Sequence, residues 1–518
     1  MPFSCRNRFS PPAILDICRR QTLIFDAAGF IILIMGSGIE ITIPDYVAEA
    51  LDALGSGGFE AYVVGGCVRD SLLGLAPEDW DIATDATPDE VSALFVRNKT
   101  LAYGQRYGTI AVIFGDRVVE ITTYRRDGVY TDCRRPDGVE FTRNVRDDMS
   151  RRDFTINSIA YNRENGLVDY FDGCGDIRRG VVRCVGNARE RFGEDSLRIL
   201  RALRFASRLS FTIERSTADA IRALSKSLGN VARERVCAEL SGILCGTAEG
   251  LRAVLTDFFD VFTVLIPDLL DLDDAAKNKT IEAILHLRKE DALIGAGKGA
   301  YKKESHKPDN MQAHLTQRMA ILLHRIGRAP DDNASIILRG LRFDNKFVDD
   351  VCLLIKHVKM TDSIGKLDKI ALKKLMSAIG ADLTRQYLNI RRALAAADAT
   401  AAPAAADATA APAATSAVTA VPATAAPAAA AATESKNNAR LISEIDNAGL
   451  YMEEIIEKGE CYSLKDLRID GNDLIKLGFR QGRELGGALA ILLDSVINGD
   501  CANTRADLLN RARTLLNA

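Results

Sequence analysis

Apolar positions change their period several times along the chain. The stretch IPDYVAEALDALGSGGFEAYVVGG (43–66) has helix-spaced apolar residues, a glycine-rich turn and then a short continuous apolar run, which predicts helix, turn and strand. GTIAVIF (108–114) and RVVEITTY (117–124) are rich in β-branched residues and predict two further strands. From about residue 187 the pattern becomes helical. EDSLRILRALRFA sets Leu197, Leu200 and Phe205 beside arginines three and four residues apart. Helical patterning with charged breaks runs on to about residue 393. Residues 394–436 are then almost wholly alanine, threonine and proline, including Pro403, Pro412, Pro422 and Pro427. Recurrent proline prevents one long helix there, and too few large side chains remain to build a core, so the segment reads as a linker. In the last stretch, LIKLGFRQGRELGGALAILLDSVINGD (474–500) predicts two helices meeting at a glycine-rich corner. The fold class is α+β: an α/β head over 43–174, helical segments over 175–245 and 246–393, the linker, and a helical tail over 437–518.

Residues 1–42 have weak periodicity and form an extension that these patterns leave uncharacterised. Met35, followed by GSGIEITIPDYV, is a candidate translation start. The early apolar run FIILIM (30–35) is far below the roughly 20 residues needed to cross a bilayer, so no membrane partner is expected. The 11 cysteines among 518 residues lack paired close spacings, and no secretory leader pattern is present, which predicts reduced thiols and a cytoplasmic protein. A net charge of -3 gives no global argument for nucleic acid. Locally the balance reverses, since residues 176–208 carry nine arginines against four acids, a local excess of five positive charges.

The chemistry concentrates in AYVVGGCVRDSLLGLAPEDWDIAT (61–84). Asp79 and Asp81 are two apart, so an extended backbone presents both carboxylates on one face. Like charges that close repel, and a divalent cation between them is the cheapest way to keep both ionised. Glu120, an acid in an apolar strand, is placed to come alongside and complete an oxygen set suited to Mg2+, as phosphoryl or nucleotidyl transfer requires. Gly65 and Gly66 end a strand where a side chain would obstruct a triphosphate, and Arg69 adds a cation at that mouth. Asp70 is expected to tie Arg69 or a loop amide. The pair is neither a GxGxxG fingerprint nor a Walker A run. Downstream, RRDFTINSIAYN (151–162) offers Arg152 and Asp153 to sugar or phosphate, and Asn157 as donor and acceptor to a ribose hydroxyl. The five histidines form no close ligand pair.

Together these residues resemble the tRNA nucleotidyltransferases that build the 3'-terminal CCA, in the bacterial and eukaryotic class shared with bacterial poly(A) polymerases. The resemblance rests on GGCVRDSLLGLAPEDWDIAT, RRDFTINSIAYN, VDYFDGCGDIRRGVVRCVG (168–186), EDSLRILRALRFASRLSF (194–211) and ERVCAEL (234–240), with the tail segment 461–500 also similar. It implies a head with a mixed β-sheet and flanking helices, then helical neck (175–245), body and tail regions, the tail binding tRNA. It also implies an enzyme acting on tRNA with CTP and ATP. Asp79 and Asp81 would hold the catalytic Mg2+, with Gly65, Gly66 and Arg69 at the triphosphate and Arg152, Asp153 and Asn157 at the phosphates and sugar. In the family's Glu-Asp-x-x-Arg element, Asp195 and Arg198 would recognise the incoming base while Glu194 orients Arg198. Arg201, Arg204 and Arg208 are candidates for holding RNA phosphates.

The base-reading assignment also has its own physical account. Three apart on a predicted helix, Asp195 and Arg198 can offer an acceptor and a fork of donors to the amine and ring acceptor that cytosine and adenine share. Residues 125–148 resemble the flexible loop used in switching from CTP to ATP, which favours complete CCA addition over CC-only addition. A-only addition, poly(A) synthesis and a catalytically silent RNA-binding protein are the alternatives. The His-Asp pair of relatives with an attached phosphohydrolase is replaced by His324-Arg325, so no such activity is expected.

Overall fold

The computed structural model describes residues 24–25, 31–32, 34–35, 38–128, 138–287, 308–327, 329–360, 367–407 and 425–517. The start of the extension, residues 1–23, lies outside the described residues, as do 129–137 of the loop and 408–424 of the alanine-rich segment. Two compact units divide after Leu265.

In the first unit, α1 (Asp45–Ser56) buries Val47, Ala50 and Leu54 at helical spacing, and Gly57 and Gly58 turn the chain into β1 (Ala61–Val64). Then come α2 (Gly66–Leu72), β2 (Asp81–Thr84), α3 (Pro88–Leu94), β3 (Lys99–Gly104), β4 (Thr109–Phe114) and β5 (Arg117–Thr123). A capping box between Thr87 and Glu90 starts α3. The hairpin of β6 (Arg125–Asp127) and β7 (Val139–Phe141) precedes α4 (Val145–Ser150), β8 (Ala160–Asn162) and β9 (Gly166–Val168). Seven strands form one sheet in the order β9-β8-β1-β2-β5-β4-β3. Only β2 and β5 pair in parallel, so the sheet is mixed. On one face Tyr62, Val64, Ala83, Tyr124, Val145, Met149 and Ala160 form a buried cluster that seats α4.

Beyond the sheet lie α5 (Gly173–Arg179), β10 (Val181–Val182), α6 (Ala188–Glu194), α7 (Leu197–Leu209), β11 (Thr212–Ile213), α8 (Arg215–Leu224) and α9 (Arg233–Leu244). β10 and β11 form a short parallel pair that ties the end of the head to the turn after α7. The helices α10 (Ala248–Asp257) and α11 (Phe259–Leu265), which fall within the range 246–393 expected for the body, group with this first unit. Gly246 and Gly250 explain why. A Cβ on Gly250 would meet the Ser207 carbonyl oxygen at 2.4 Å, so glycine lets the start of α10 lie directly on α7.

The Glu214 carboxylate caps α8, accepting from the Thr217 backbone N–H at 2.9 Å and from the Ser216 hydroxyl at 2.7 Å. Partial desolvation pushes this acid up, but the hydrogen bonds outweigh it and hold it at about 2, below its ordinary 4.5. Its contribution is therefore complete above about pH 4.5 and fades as pH falls toward 2. Glu214→Gln should cost about 1 kcal/mol at pH 7, a typical cap value, and the gap from wild type in thermal melts should narrow below pH 4.5. A gap independent of pH would refute the charged cap.

The second unit is helical: α12 (Asp274–Leu285), α13 (Pro308–Leu323), α14 (Pro330–Gly340), α15 (Asn345–Met360), α16 (Lys369–Ile379), α17 (Ala381–Asp407), α18 (Ala425–Glu457), α19 (Gly471–Leu477), α20 (Arg483–Asn498) and α21 (Arg505–Leu516). Within the stretch expected as a linker, 394–436, α17 continues through Asp407 and α18 begins at Ala425, while 408–424 between them lie outside the described residues. Ala395 and Ala397 are buried, and ion pairs Arg385–Glu453 (3.0 Å) and Arg392–Asp446 (3.1 Å) bind α17 to α18. Alanine's helix propensity and small size let the two helices pack where large side chains are lacking. The tail core is built on Leu474, Leu492 and Leu508, with the glycine-rich corner between α19 and α20. Among the described residues no helix is long and apolar enough to cross a membrane.

Candidate active site

Trp80 is 4% exposed while Asp79 and Asp81 on either side of it are open to solvent, the alternation of an extended chain. The buried indole anchors the segment and turns both carboxylates to the same side. Asp81 begins β2, opposite Val64 at the end of β1 and in register with Glu120 on parallel β5. Glu120 too is open to solvent, between buried Val119 and Ile121. The three acids thus lie along one open face at the edge of the apolar cluster. Asp81 and Glu120 share a cavity of about 190 Å³ with Thr109, Thr122, Arg125 and Arg152.

The Asp81 carboxylate has its outer side in water and its inner side against the sheet. Desolvation from that side, then the charges of Glu120 and Asp79, push it up to about 6, with Arg152 opposing. Mutual repulsion of this kind is what a bound divalent cation relieves. Among the described residues no three side-chain ligands converge closely enough to enclose an ion. The open acid pair instead suits magnesium, which keeps waters and takes substrate phosphate oxygens as further ligands.

Gly65 stands between β1 and α2 with φ 80° and ψ -125°, a conformation that L side chains rarely adopt. An added Cβ would lie 3.1 Å from Nη1 of Arg152. Arg152 is held over this turn by fully buried Asp148 (3.1 Å), which Arg151 also grips. Desolvation raises Asp148, but the two arginines prevail and keep it below the usual carboxylate range. Asp148 was not singled out from the sequence, although its spacing of three and four from Arg151 and Arg152 is the helical ion-pair signal.

Arg69 pairs with Asp70 (2.7 Å) and donates from Nη1 to the Asn157 Oδ1 at 2.6 Å. Asn157 donates in turn to Asp153 (3.1 Å), whose other oxygen accepts from Arg201 Nε at 2.8 Å. Asp153 also accepts from the Phe154 N–H at 2.8 Å. Its burial works against ionisation, yet Arg201 and these hydrogen bonds hold it below its ordinary value. The chain Arg69–Asn157–Asp153–Arg201 therefore joins α2 to α7. It occupies groups that the sequence reading offered to the nucleotide, so Asp153 in particular acts here as an internal anchor.

The Glu-Asp-x-x-Arg element differs from the expected single helix. Asp195 is extended (φ -142°, ψ 103°) between α6 and α7, and its carboxylate accepts from the Leu197 N–H at 3.0 Å. Aspartate favours such a local cap over continuing a helix. Arg235 of α9 holds the other carboxylate oxygen at 2.7 Å. Glu194 pairs with Arg198, which also donates to the Arg151 carbonyl at 3.3 Å. Arg235 lies within the quoted ERVCAEL stretch but was not picked out, since nothing local in the sequence ties it to Asp195. Of the three RNA candidates, Arg201 and Arg204 turn inward to Asp153 and Glu239, and Arg208 alone is exposed. Their carboxylate partners come from distant segments, which is why helix periodicity alone misplaces them. In the second unit, His324 Nδ1 lies 2.6 Å from the Ile321 carbonyl and Arg325 donates to its Nε2 at 3.0 Å.

Residues 61–183 match the family model described as "Poly A polymerase head domain". The match places this head beside those of poly(A) polymerases and CCA-adding enzymes, to which it is similar. Residues 210–254 match "Probable RNA and SrmB- binding site of polymerase A", and 431–512 match "tRNA nucleotidyltransferase domain 2". A CCA-adding enzyme of Lactobacillus delbrueckii subsp. bulgaricus is 46% identical over 208 residues, covering 40% of this chain and 52% of that protein. One from Oceanobacillus iheyensis is 47% identical over 196 residues, covering 38% and 48%. The chain thus matches about half the length of these curated relatives. The fold extends further. The Bacillus stearothermophilus CCA-adding enzyme in complex with CTP superposes with a TM-score of 0.60 at 24% identity, over 92% of this chain and 100% of that one. The Thermotoga maritima CCA-adding enzyme complexed with tRNA gives 0.55 at 19% identity, over 92% and 97%. The likeness in fold therefore takes in both the head and the helical remainder.

Proposed function

We propose that this chain adds C, C and A to the 3' end of tRNA, using CTP and ATP and releasing pyrophosphate. The observation that carries the reading is the open row of Asp79, Asp81 and Glu120 beside the Gly65 turn. It lies in a head that aligns with CCA-adding enzymes at 46–47% identity. Asp79 and Asp81 would hold magnesium, with Glu120 beside them. Bound magnesium supplies Lewis acidity that lowers the pKa of an attacking hydroxyl and offsets phosphate charge.

The chain's own residues do the rest. Gly65 and Gly66 leave the backbone free to approach the triphosphate, with Arg69 and Arg152 as its cations and Asn157 at the sugar end. Asp195 and Arg198 face the base, the first fixed by Arg235 and the second by Glu194. The tRNA 3'-hydroxyl attacks the α-phosphorus of CTP, pyrophosphate leaves, and the cycle repeats with CTP and then ATP. Arg208 and other exposed arginines of the neck, with the tail helices, hold tRNA phosphates without reading sequence. The hairpin β6–β7 at the base of the loop 125–148 supports the complete CCA reading over CC-only addition. All eight described cysteines are free thiols, in keeping with a reducing, cytoplasmic setting.

The test is incubation of the full chain with Mg2+, a tRNA ending at the discriminator base, and CTP or ATP, separately and together. Three-nucleotide extension should require both nucleotides. A long adenosine ladder without CTP would instead make the chain a poly(A) polymerase, a single added A an A-only enzyme, and no extension a passive RNA binder.

A further inference from the structure

One aromatic ring in the neck carries three guanidinium groups. Phe205 of α7 is 7% exposed, and its ring centroid lies 5.0 Å from the Arg69 Cζ, 5.4 Å from that of Arg201 and 5.2 Å from that of Arg204. Phe154 meets it edge-on at 5.7 Å with planes 79° apart, which holds the ring from a further side. Arg201 and Arg204 are neighbours of Phe205 on the same helix. Arg69 is not: it reaches in from α2, at the glycine turn of the head. A Cβ on Gly66 would lie 3.7 Å from Arg69 Nη2, so the same guanidinium that packs on Phe205 also borders the triphosphate mouth.

Gathering three cations in one place is unfavourable by itself, and the carboxylates of Asp70, Asp153 and Glu239 offset part of the repulsion. The ring contributes a different attraction. Its negative face draws a guanidinium without accepting its N–H groups, leaving those donors for oxygen ligands. An aliphatic side chain would fill the same space without that field.

We infer that Phe205 is a positioning residue for the triphosphate site, its ring holding the Arg69 guanidinium in place beside Gly66 and fixing it relative to Arg201 and Arg204. The inference rests on reading the head as a nucleoside triphosphate site. Orientation of Arg69 costs conformational entropy once the substrate binds; the ring imposes that order beforehand. The effect falls on binding of any triphosphate and does not distinguish bases.

The experiment replaces Phe205 in the full chain by 4-fluoro- and then pentafluorophenylalanine through codon reassignment. This series nearly preserves the ring's shape while weakening and then reversing the field of its face. Dissociation constants for CTP and ATP, KM and kcat for addition, and melting temperature are read for each variant. Affinity for both nucleotides should weaken stepwise, by about threefold to tenfold at the pentafluoro ring. KM should rise in parallel, kcat should change less than about twofold if the effect is on uniform binding, and Phe205→Tyr should bind like wild type. A flat series in a chain whose wild type binds CTP and ATP overturns the role of Phe205 alone. A wild-type chain that binds neither nucleotide overturns the nucleotide-site reading and this inference with it. Loss of kcat and melting temperature without loss of affinity makes Phe205 a packing residue only.

Discussion

Asp81→Ala should lower nucleotide addition by about a thousandfold or more, and Asp79→Ala by a similar factor, because each removes charge stabilisation worth several kcal/mol at the transferring phosphate. Binding of tRNA should stay within about twofold of wild type, since the electrostatic grip on the RNA backbone lies with the arginines. The fold should not suffer. Desolvation, Glu120 and Asp79 raise Asp81 from 3.8 to about 6, so its ionised form costs stability above that range. At pH 7 the Asp81→Ala chain should therefore melt no lower than wild type, and removing one member of the repelling set favours a higher midpoint. Single-nucleotide-resolution extension, filter retention of labelled tRNA and thermal melts separate the three quantities. Unimpaired extension in either variant would reject the metal-binding role of these acids.

Much of this face was legible because its signals are local. Asp-Trp-Asp announces an extended segment by alternation alone, and an acid inside VVEITTY is conspicuous because the strand around it is apolar. The parallel register of Asp81 and Glu120 comes from β2 and β5 being neighbours, which strand prediction suggests without fixing. Contacts between distant segments were less accessible. Nothing near Asp195 points to Arg235, forty residues on, and nothing near Phe205 points to Arg69. The break at Asp195 follows a different logic: a periodic apolar pattern runs through EDSLRILRALRFA, but the aspartate's own carboxylate caps the next turn and ends the continuity. The ends of the alanine-rich segment follow a third logic. Low side-chain volume removes the usual core signal while still permitting close helix pairing, so α17 extends past the boundary that composition suggests.

The second large effect is expected at Asp153, which connects substrate positioning to stability. Asp153→Ala leaves Arg201 only its longer pairing with Glu239 (3.9 Å), leaves the Phe154 N–H and the Asn157 amide without their acceptor, and so frees the Asn157 side chain that orients Arg69. Breaking a buried ion pair costs about 3–5 kcal/mol, and a value nearer 2–3 kcal/mol suits this one because water reaches part of Arg201. At about 2–4 °C per kcal/mol for a domain of this size, the first unit should melt about 5–10 °C lower. KM for both nucleotides should rise at least about fivefold as Arg69 loses its fixed orientation, an effect in the range of about 1–3 kcal/mol for a lost buried hydrogen-bond partner. The double replacement Asp153→Leu with Arg201→Met removes both charges together, so it should recover most of the stability while leaving KM high. Recovery of both quantities would show that Asp153 serves the fold alone. Recovery of neither would place the loss in packing around Phe154 and not in the Arg69–Asn157–Asp153–Arg201 chain.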